Sequence, residues 1–201
     1  MDAHPLALLC QDVYAGDGSQ FDTIFDNGNV CVGRKGNVLA FRGSLTALDW
    51  FDDFEAIPVA VPLVGTVHEG FWLGVSDIFE QVGLNAGDKV IITGHSLGCA
   101  HAALFARLCL LRGILVEQLY LFAPPRIGYQ DFYDGLRNVK DLKAWNNTSE
   151  LIGDPVPGVP IVLPDEPWCQ FPLIKICVPP DGIAAAFPTR WHNIALYASG
   201  V

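Results

Sequence analysis

The sequence predicts one α/β domain with a mostly parallel central sheet flanked by helices. An apolar, β-branched run at residues 89–93 ends in a glycine-rich turn, and a long apolar stretch follows from Leu97. A second apolar run covers residues 116–122. Strand, buried helix and strand make a βαβ unit, which implies parallel strands and a right-handed crossover. The 201 residues contain no visible repeat or linker, so a single domain spanning 1–201 is expected.

The other elements follow from hydrophobic periodicity and turn residues. We expect a helix at 6–14, a strand hairpin at 30–34 and 37–41, an extended edge at 57–64 and an amphipathic helix at 71–82. Beyond the βαβ unit we expect a short helix at 132–137, strands at 142–146 and 173–178, and a helix at 191–198. Between 155 and 188 the chain is proline-rich and otherwise irregular.

The composition restricts the partners. Hydrophobic residues make up 51% of the chain and charged residues 17%, which favours extensive burial or an apolar pocket. The net charge of −10 argues against nucleic acid and gives no attraction to an anionic membrane. No uncharged apolar run reaches the ~18 residues of a transmembrane helix. The sequence does not indicate an oligomeric state.

The N-terminal residues and the cysteine spacing bear on the cellular compartment of the protein. Residues 1–5 carry no basic segment and no long apolar run follows them, so no secretion signal is recognisable. We therefore expect a protein that is cytoplasmic or otherwise without a recognisable secretion signal. The six cysteines lack CxxC spacing, and free thiols are expected.

The turn after the first apolar run has the pattern Gly-x-Ser-x-Gly, at Gly94, Ser96 and Gly98. Between a strand and a helix this pattern is typical of a nucleophile elbow, in which a strained backbone lifts the serine hydroxyl clear of the sheet. Bulky residues two positions either side of the serine would collide with the strand or the helix. The helix N-terminus also favours negative charge. Ser96 is therefore the candidate nucleophile.

A nucleophilic serine needs a base, and five histidines compete for that role. His95 must point away from Ser96 on such a turn, and His101 lies more than a helical turn along a helix that leads away. His4 is at a terminus, and a structural role is expected for His68. His192 remains, since it follows the last predicted strand in a loop-to-helix setting, flanked by Trp191 and Asn193.

The acid should be a carboxylate in a loop after a later strand. Asp154 follows the strand at 142–146 and opens a proline-stiffened segment. Glu150 and Asp181 are the alternatives. The chain order Ser96, Asp154, His192 is the one expected for this kind of triad. For the oxyanion hole, the Leu97 N–H supplies one donor, and the loop at Gly43 and Ser44 can supply the second.

At this point the chain resembles the fungal-type class 3 lipases of the α/β-hydrolase fold. The matching stretches, in family order, are Phe41-Arg42-Gly43-Ser44, Val67-His68-Glu69-Gly70-Phe71, Gly94-His95-Ser96-Leu97-Gly98, Pro125-Arg126-Ile127-Gly128, the Asp154 segment, and His192 before Tyr197. The resemblance implies a triad of Ser96, Asp154 and His192, with Ser44 and Leu97 forming the oxyanion hole. It also places a mobile lid at residues 45–55.

The chain departs from the family in three ways. Only about 40 residues precede Phe41, Cys99 replaces the usual second glycine after the elbow leucine, and the family's disulfides and secretion signal have no recognisable counterpart. The departures bear on sheet size, compartment and substrate rather than on the triad.

The resemblance implies a serine carboxylic-ester hydrolase, a lipase that acts on acylglycerols through an acyl-enzyme intermediate and without a metal or cofactor. The alternatives within the same chemistry are a short-chain carboxylesterase, a phospholipase A1 and a polysaccharide (feruloyl-type) esterase. A catalytically silent binding module on the same fold is the alternative from another class. In the lid segment Trp50, Phe51 and Phe54 would contact lipid, whereas the simpler interpretation is an amphipathic helix packed on the sheet.

Overall fold

The computed structural model describes residues 1–16, 18–44, 56–148, 154–160, 166–176 and 192–201. Over these residues the strands are β1 (Thr23–Asp26), β2 (Cys31–Lys35), β3 (Val38–Phe41), β4 (Pro58–Val61), β5 (Gly65–His68), β6 (Lys89–His95), β7 (Leu115–Phe122), β8 (Leu142–Asn147) and β9 (Leu173–Ile176). The α-helices are α1 (Ala3–Ala15), α2 (Glu69–Trp72), α3 (Val75–Val82), α4 (Leu97–Leu111), α5 (Gln130–Asp134) and α6 (Ile194–Gly200). Short 3₁₀ turns lie at Gly18–Gln20 and Val156–Gly158.

The main sheet has the strand order β1-β2-β3-β6-β7-β8-β9. The first three strands form an antiparallel meander, and every pairing from β3 to β9 is parallel. Thr93 at the centre of β6 is paired with Ala40 on one side and Tyr120 on the other. The carboxyl ends of β3, β6, β7 and β8 therefore meet at one edge of the sheet, which is where open α/β sheets place their ligands.

Helices cover both faces of this sheet. Helix α4 is apolar nearly all round and is buried on one face, together with α2 and α3. Helices α1 and α6 pack on each other on the opposite face, where Leu6, Cys10 and Val13 of α1 join a second core with Trp145 and Tyr197. Because helices cover both faces of the sheet, the central strands are buried on both sides. Their sequences are therefore continuous apolar runs.

The fold class predicted from the sequence is confirmed: the central sheet is mostly parallel and flanked by helices. The predicted hairpin is β2–β3, and the predicted βαβ unit is β6–α4–β7. The extended edge at 57–64 contains β4, which pairs with β5 in a separate two-stranded sheet. The lid segment at 45–55 lies outside the residues that the structure describes.

Two predicted helices differ from the observed ones. The helix expected at 71–82 is split into α2 and α3, because Gly74 between them has φ 81°, a left-handed conformation that ends one helix before the next begins. The short helix expected at 132–137 is instead α5. Its Asp131 carboxylate accepts hydrogen bonds from the Thr66 N–H (2.8 Å) and hydroxyl (3.1 Å), which fixes this helix to β5.

Two further sequence expectations concern cysteines and membranes. The five cysteines within the described ranges are free thiols. Among the helices of these ranges, none combines the length and the hydropathy that crossing a bilayer would require.

Candidate active site

The turn between β6 and α4 has the strained geometry of a nucleophile elbow. Ser96 has φ 58° and ψ −131°, an unusual conformation for a residue with a side chain. The conformation is fixed by a hydrogen bond from the Ser96 N–H to the Phe122 carbonyl at 3.0 Å. Ser96 caps the N-terminus of α4, so its hydroxyl lies where the helix dipole favours negative charge.

The two glycines of the motif allow the backbones to approach closely. A Cβ atom on Gly94 would lie 2.3 Å from the Gly98 carbonyl oxygen. A Cβ atom on Gly98 would lie 2.3 Å from the carbonyl oxygen of Phe41, at the end of β3. A side chain at Gly94 would therefore force α4 away from β6, and a side chain at Gly98 would force α4 away from β3.

Asp154 and His192 form a buried pair at the same edge of the sheet. The His192 Nδ1–H donates to Asp154 Oδ2 at 2.8 Å, and both side chains are almost fully buried. This bond fixes the imidazole tautomer that leaves Nε2 free to accept a proton. The buried Nε2 atom has no hydrogen-bond partner among the residues that the structure describes.

The Asp154 carboxylate is held by three donors. In addition to His192, its Oδ1 accepts from the Val156 N–H at 2.9 Å and its Oδ2 from the Tyr197 hydroxyl at 2.5 Å. The Asp154 N–H donates to the Asn147 carbonyl at the end of β8 (2.8 Å). Burial, and next the negative charge of Asp154, raise the pKa of Tyr197, so the phenol stays protonated and donates.

His95 lies directly against His192. The two rings stack with centroids 4.5 Å apart and planes 27° apart. His95 Nδ1 is 3.0 Å from the Tyr14 hydroxyl of α1. Burial, and next the charge that His192 can carry, hold the pKa of His95 well below its usual value. His95 is therefore a neutral neighbour of the imidazole rather than a competing base.

The loop after β3 lies against Ser96. Phe41 pairs with Gly94 in the sheet, and a Cβ atom on Gly43 would be 3.0 Å from the Ser96 Cβ. Ser44 and Leu97 are both half-buried, one at the end of this loop and the other as the first residue of α4. The predicted oxyanion donors thus come from two segments that meet beside Ser96.

The remaining histidines are outside this cluster. The His4 ring nitrogen Nδ1 is 2.6 Å from the Ala198 carbonyl oxygen, and this contact joins α1 to α6. His68 caps α2 by accepting from the Gly70 N–H, and its ring packs on Phe71. His101 is buried in α4, and burial lowers its pKa to about 4. The elimination that selected His192 agrees with these positions.

The structure brings Ser96, Asp154, His192, Ser44 and Leu97 to one edge of the sheet. Trp50, Phe51, Phe54 and the alternative acids Glu150 and Asp181 lie outside the described residues. Sequence reasoning missed two members of the cluster, Tyr14 and the stacked ring of His95. A tyrosine in the last turn of the first helix carries no local signal that it reaches residue 95.

Comparisons with known proteins match this architecture. Residues 38–163 match the model of the family described as Lipase (class 3). The chain is 26% identical over 189 residues to phospholipase A1-IIgamma of Arabidopsis thaliana, covering 74% of this chain and 44% of the relative. It is 31% identical over 137 residues to the secreted mono- and diacylglycerol lipase A of Penicillium cyclopium, covering 62% and 43%.

Solved structures support the same fold. The triacylglyceride lipase of Rhizomucor miehei superposes with a TM-score of 0.56 at 23% identity, over 79% of this chain and 72% of that one. A structure titled as a fungal lipase superposes with a TM-score of 0.61 over 88% of this chain and 77% of its own. The chain spans less than half the length of the two sequence relatives named above. With a family match over more than half of its residues, the chain belongs to the class 3 lipase family.

Proposed function

We propose that the protein is a serine carboxylic-ester hydrolase that cleaves acylglycerols through an acyl-enzyme intermediate. The observation that carries the proposal is the buried Asp154–His192 pair, whose unpartnered Nε2 lies at the same sheet edge as a serine on a strained elbow. A serine, an imidazole with a free Nε2 and a buried carboxylate are the groups that ester hydrolysis by a serine enzyme requires.

In the proposed reaction the Ser96 oxygen attacks the ester carbonyl carbon while His192 Nε2 takes the hydroxyl proton. The negative charge that develops on the carbonyl oxygen is stabilised by the Leu97 N–H and by Ser44. Collapse of the tetrahedral intermediate breaks the bond to the alcohol, which receives the proton from His192. Water then attacks the acyl-enzyme by the same route and releases the fatty acid and free Ser96.

Asp154 would keep the imidazole in the required tautomer and stabilise the imidazolium that forms. Its remaining hydrogen bonds, to Tyr197 and to the Val156 N–H, hold the carboxylate in the plane where it meets Nδ1. A neutral His95 favours the proposed proton transfer to His192. A positive charge on His95, stacked 4.5 Å from His192, would oppose the protonation of His192.

The relatives support an acyl-lipid substrate. One is named a mono- and diacylglycerol lipase and another a phospholipase A1, so a phospholipid ester is the second candidate substrate. We further propose that residues 45–55 form a lid whose Trp50, Phe51 and Phe54 contact the acyl chain. The support is the amphipathic sequence that directly follows the oxyanion loop.

Labelling with a fluorophosphonate tests the nucleophile. The purified protein should be labelled in one-to-one stoichiometry, and the Ser96→Ala variant should not be labelled. A folded protein that resists the reagent would instead support the binding module. Hydrolysis of p-nitrophenyl esters, triacylglycerols and diacyl phospholipids then distinguishes the substrates, and preference for the soluble ester alone would identify a short-chain esterase.

The lid proposal is tested by comparing activity on emulsified and soluble substrates. The double substitution Trp50→Ala with Phe54→Ala should impair hydrolysis of emulsified long-chain glycerides and spare soluble short-chain esters and the melting temperature. Each buried or lipid-inserted aromatic group contributes ~1.5–3 kcal/mol, which is enough to bias lid opening at least tenfold. An equal loss on both substrates, with a lower melting temperature, would mean that the segment is ordinary core.

A further inference from the structure

Tyr14 lies in the last turn of α1, and nothing in the reaction scheme above uses it. Its hydroxyl is 3.0 Å from His95 Nδ1, and its ring meets the His95 ring edge-on with centroids 5.7 Å apart. His95 in turn stacks on His192. The tyrosine is thus separated from the proposed base by a single aromatic ring.

The same hydroxyl also contacts the oxyanion loop. The Gly43 backbone packs against the Tyr14 hydroxyl. A Cβ atom on Gly43 would lie 2.3 Å from the Tyr14 oxygen and 2.6 Å from the His95 carbonyl oxygen. Gly43 therefore leaves the space in which the phenol oxygen fits, and the hydroxyl lies between the loop that carries Ser44 and the ring that contacts the base.

The direction of the hydrogen bond between Tyr14 and His95 follows from protonation. Burial is the main cause that raises the pKa of Tyr14, so the phenol keeps its proton. Burial first, and His192 second, lower the pKa of His95, so its ring is neutral and Nδ1 can accept. The Tyr14 O–H therefore donates to His95 Nδ1.

We propose that Tyr14 is a positioning residue that couples the oxyanion loop to the imidazole stack. Its hydroxyl holds Gly43 and His95 at a fixed separation, and so keeps the Ser44 donor and the His192 ring aligned on the two sides of Ser96. The inference rests on the proposed ester-hydrolase function. Since Tyr14 acts through its neighbours, its loss should affect the transition state more than substrate binding.

The substitution Tyr14→Phe removes one oxygen atom and tests the coupling. For a soluble p-nitrophenyl ester we expect kcat to fall about tenfold while KM changes less than twofold. Removing an oxyanion donor directly costs about 10²–10³-fold, so an indirect loss of alignment should cost less. Inhibition by an alkyl boronic acid, which mimics the tetrahedral intermediate, should weaken by a similar factor.

Tyr133→Phe is the matched control. The Tyr133 hydroxyl is also buried and bonded on both sides, since it accepts from the Ile127 N–H (3.1 Å) and donates to the Cys169 carbonyl (3.0 Å). This control should lower the melting temperature and leave kcat unchanged. If Tyr14→Phe lost kcat only in proportion to its folded fraction, or kept the wild-type kcat, the positioning role would be wrong.

A second variant covers the case in which Tyr14→Phe does not fold. His95→Phe keeps an aromatic ring against His192 but removes the acceptor, and it should reproduce the tenfold loss in kcat. Where both variants fold, combining them should cost little more than either alone. Full activity of His95→Phe, or fully additive losses, would overturn the coupling. A wild-type protein that fluorophosphonate does not label would instead refute the proposed function itself.

Discussion

The proposed nucleophile and the proposed acid–base pair are held in place by different kinds of contact. Ser96 lies between a strand and a helix that adjoin it in the chain, and backbone atoms of Phe41, Gly94 and Gly98 pack closely around the turn. Asp154 and His192 are 38 residues apart and are joined by a hydrogen bond between their side chains. The elbow is thus fixed by close backbone contacts within the sheet and its helix, whereas the acid–base pair depends on polar side chains.

This contrast predicts that changes at the acid–base pair remove activity and leave the fold intact. Asp154→Asn has almost the same shape but favours the wrong imidazole tautomer, and we expect kcat to fall on the order of 10⁴-fold. Steady-state hydrolysis of a soluble ester measures the loss, and circular dichroism checks the fold. Asp141→Asn, which changes a carboxylate bonded to Lys143 on the protein surface, is the control and should retain kcat.

If Asp154→Asn kept most of the activity, the acid would have to be Glu150 or Asp181. Glu150→Gln and Asp181→Asn in the same assay would then identify it.

At the elbow we expect the opposite, a loss of stability together with activity. The Cβ atom of Gly98→Ala would lie 2.3 Å from the Phe41 carbonyl oxygen, so α4 and β3 must separate. Overpacking of this kind costs about 3 kcal/mol, and the displaced loop should also lower kcat. Urea unfolding measures the change in free energy. Gly158→Ala, with no atom within 4 Å of the added Cβ, is the control. Wild-type stability in Gly98→Ala would show that the turn is not sterically fixed.

The smallest expected effect concerns His101, which lies on α4 behind the elbow. Burial lowers its pKa to about 4, and its Nδ1 has no hydrogen-bond partner within the part of the chain that the structure describes. In the unfolded chain the group titrates near pH ~6.5, so between pH ~6.5 and ~4 the unfolded state binds more protons and folding stability falls as the pH drops.

His101→Leu removes this proton uptake. Between pH 7 and pH 5 the variant should lose about 2 kcal/mol less of its unfolding free energy than the wild type. Urea unfolding at the two pH values measures the difference, and the contribution of His95 is common to both proteins. Parallel losses in the two proteins would show that His101 is not buried in its neutral form.

The same contrast explains what could be predicted from the sequence. The elbow is encoded by neighbouring residues, so its strand, turn and helix follow from periodicity and two glycines. The sequence predicted Asp154 and His192 because each follows a strand or precedes a helix in the expected order, and the structure pairs the two side chains. Tyr14 was missed because its contact with His95 spans 81 residues. No local pattern encodes which side chain of a helix meets the end of a distant strand.

Short elements with mixed burial were also missed. Strand β1 has exposed and half-buried positions and no strict alternation, and β5 is only four residues long. Their pairing with β2 and β4 determines that they are strands, and such tertiary effects override weak local preferences. Gly74 was visible in the sequence, but its contact with Asn27, which donates to the Gly74 carbonyl at 2.8 Å, spans 47 residues and has no local signal.

The packing of α1 on α6 has a consequence for synthesis of the chain. The bond between His4 and Ala198 spans 194 residues, and His192 itself comes late in the sequence. A ribosome adds residues at about 5–20 per second, so the nucleophile emerges many seconds before its base. A partial chain that ends before residue 192 has Ser96 but lacks the proposed base. In the proposed reaction, the order in which these groups are made therefore delays hydrolysis until residue 192 has been translated.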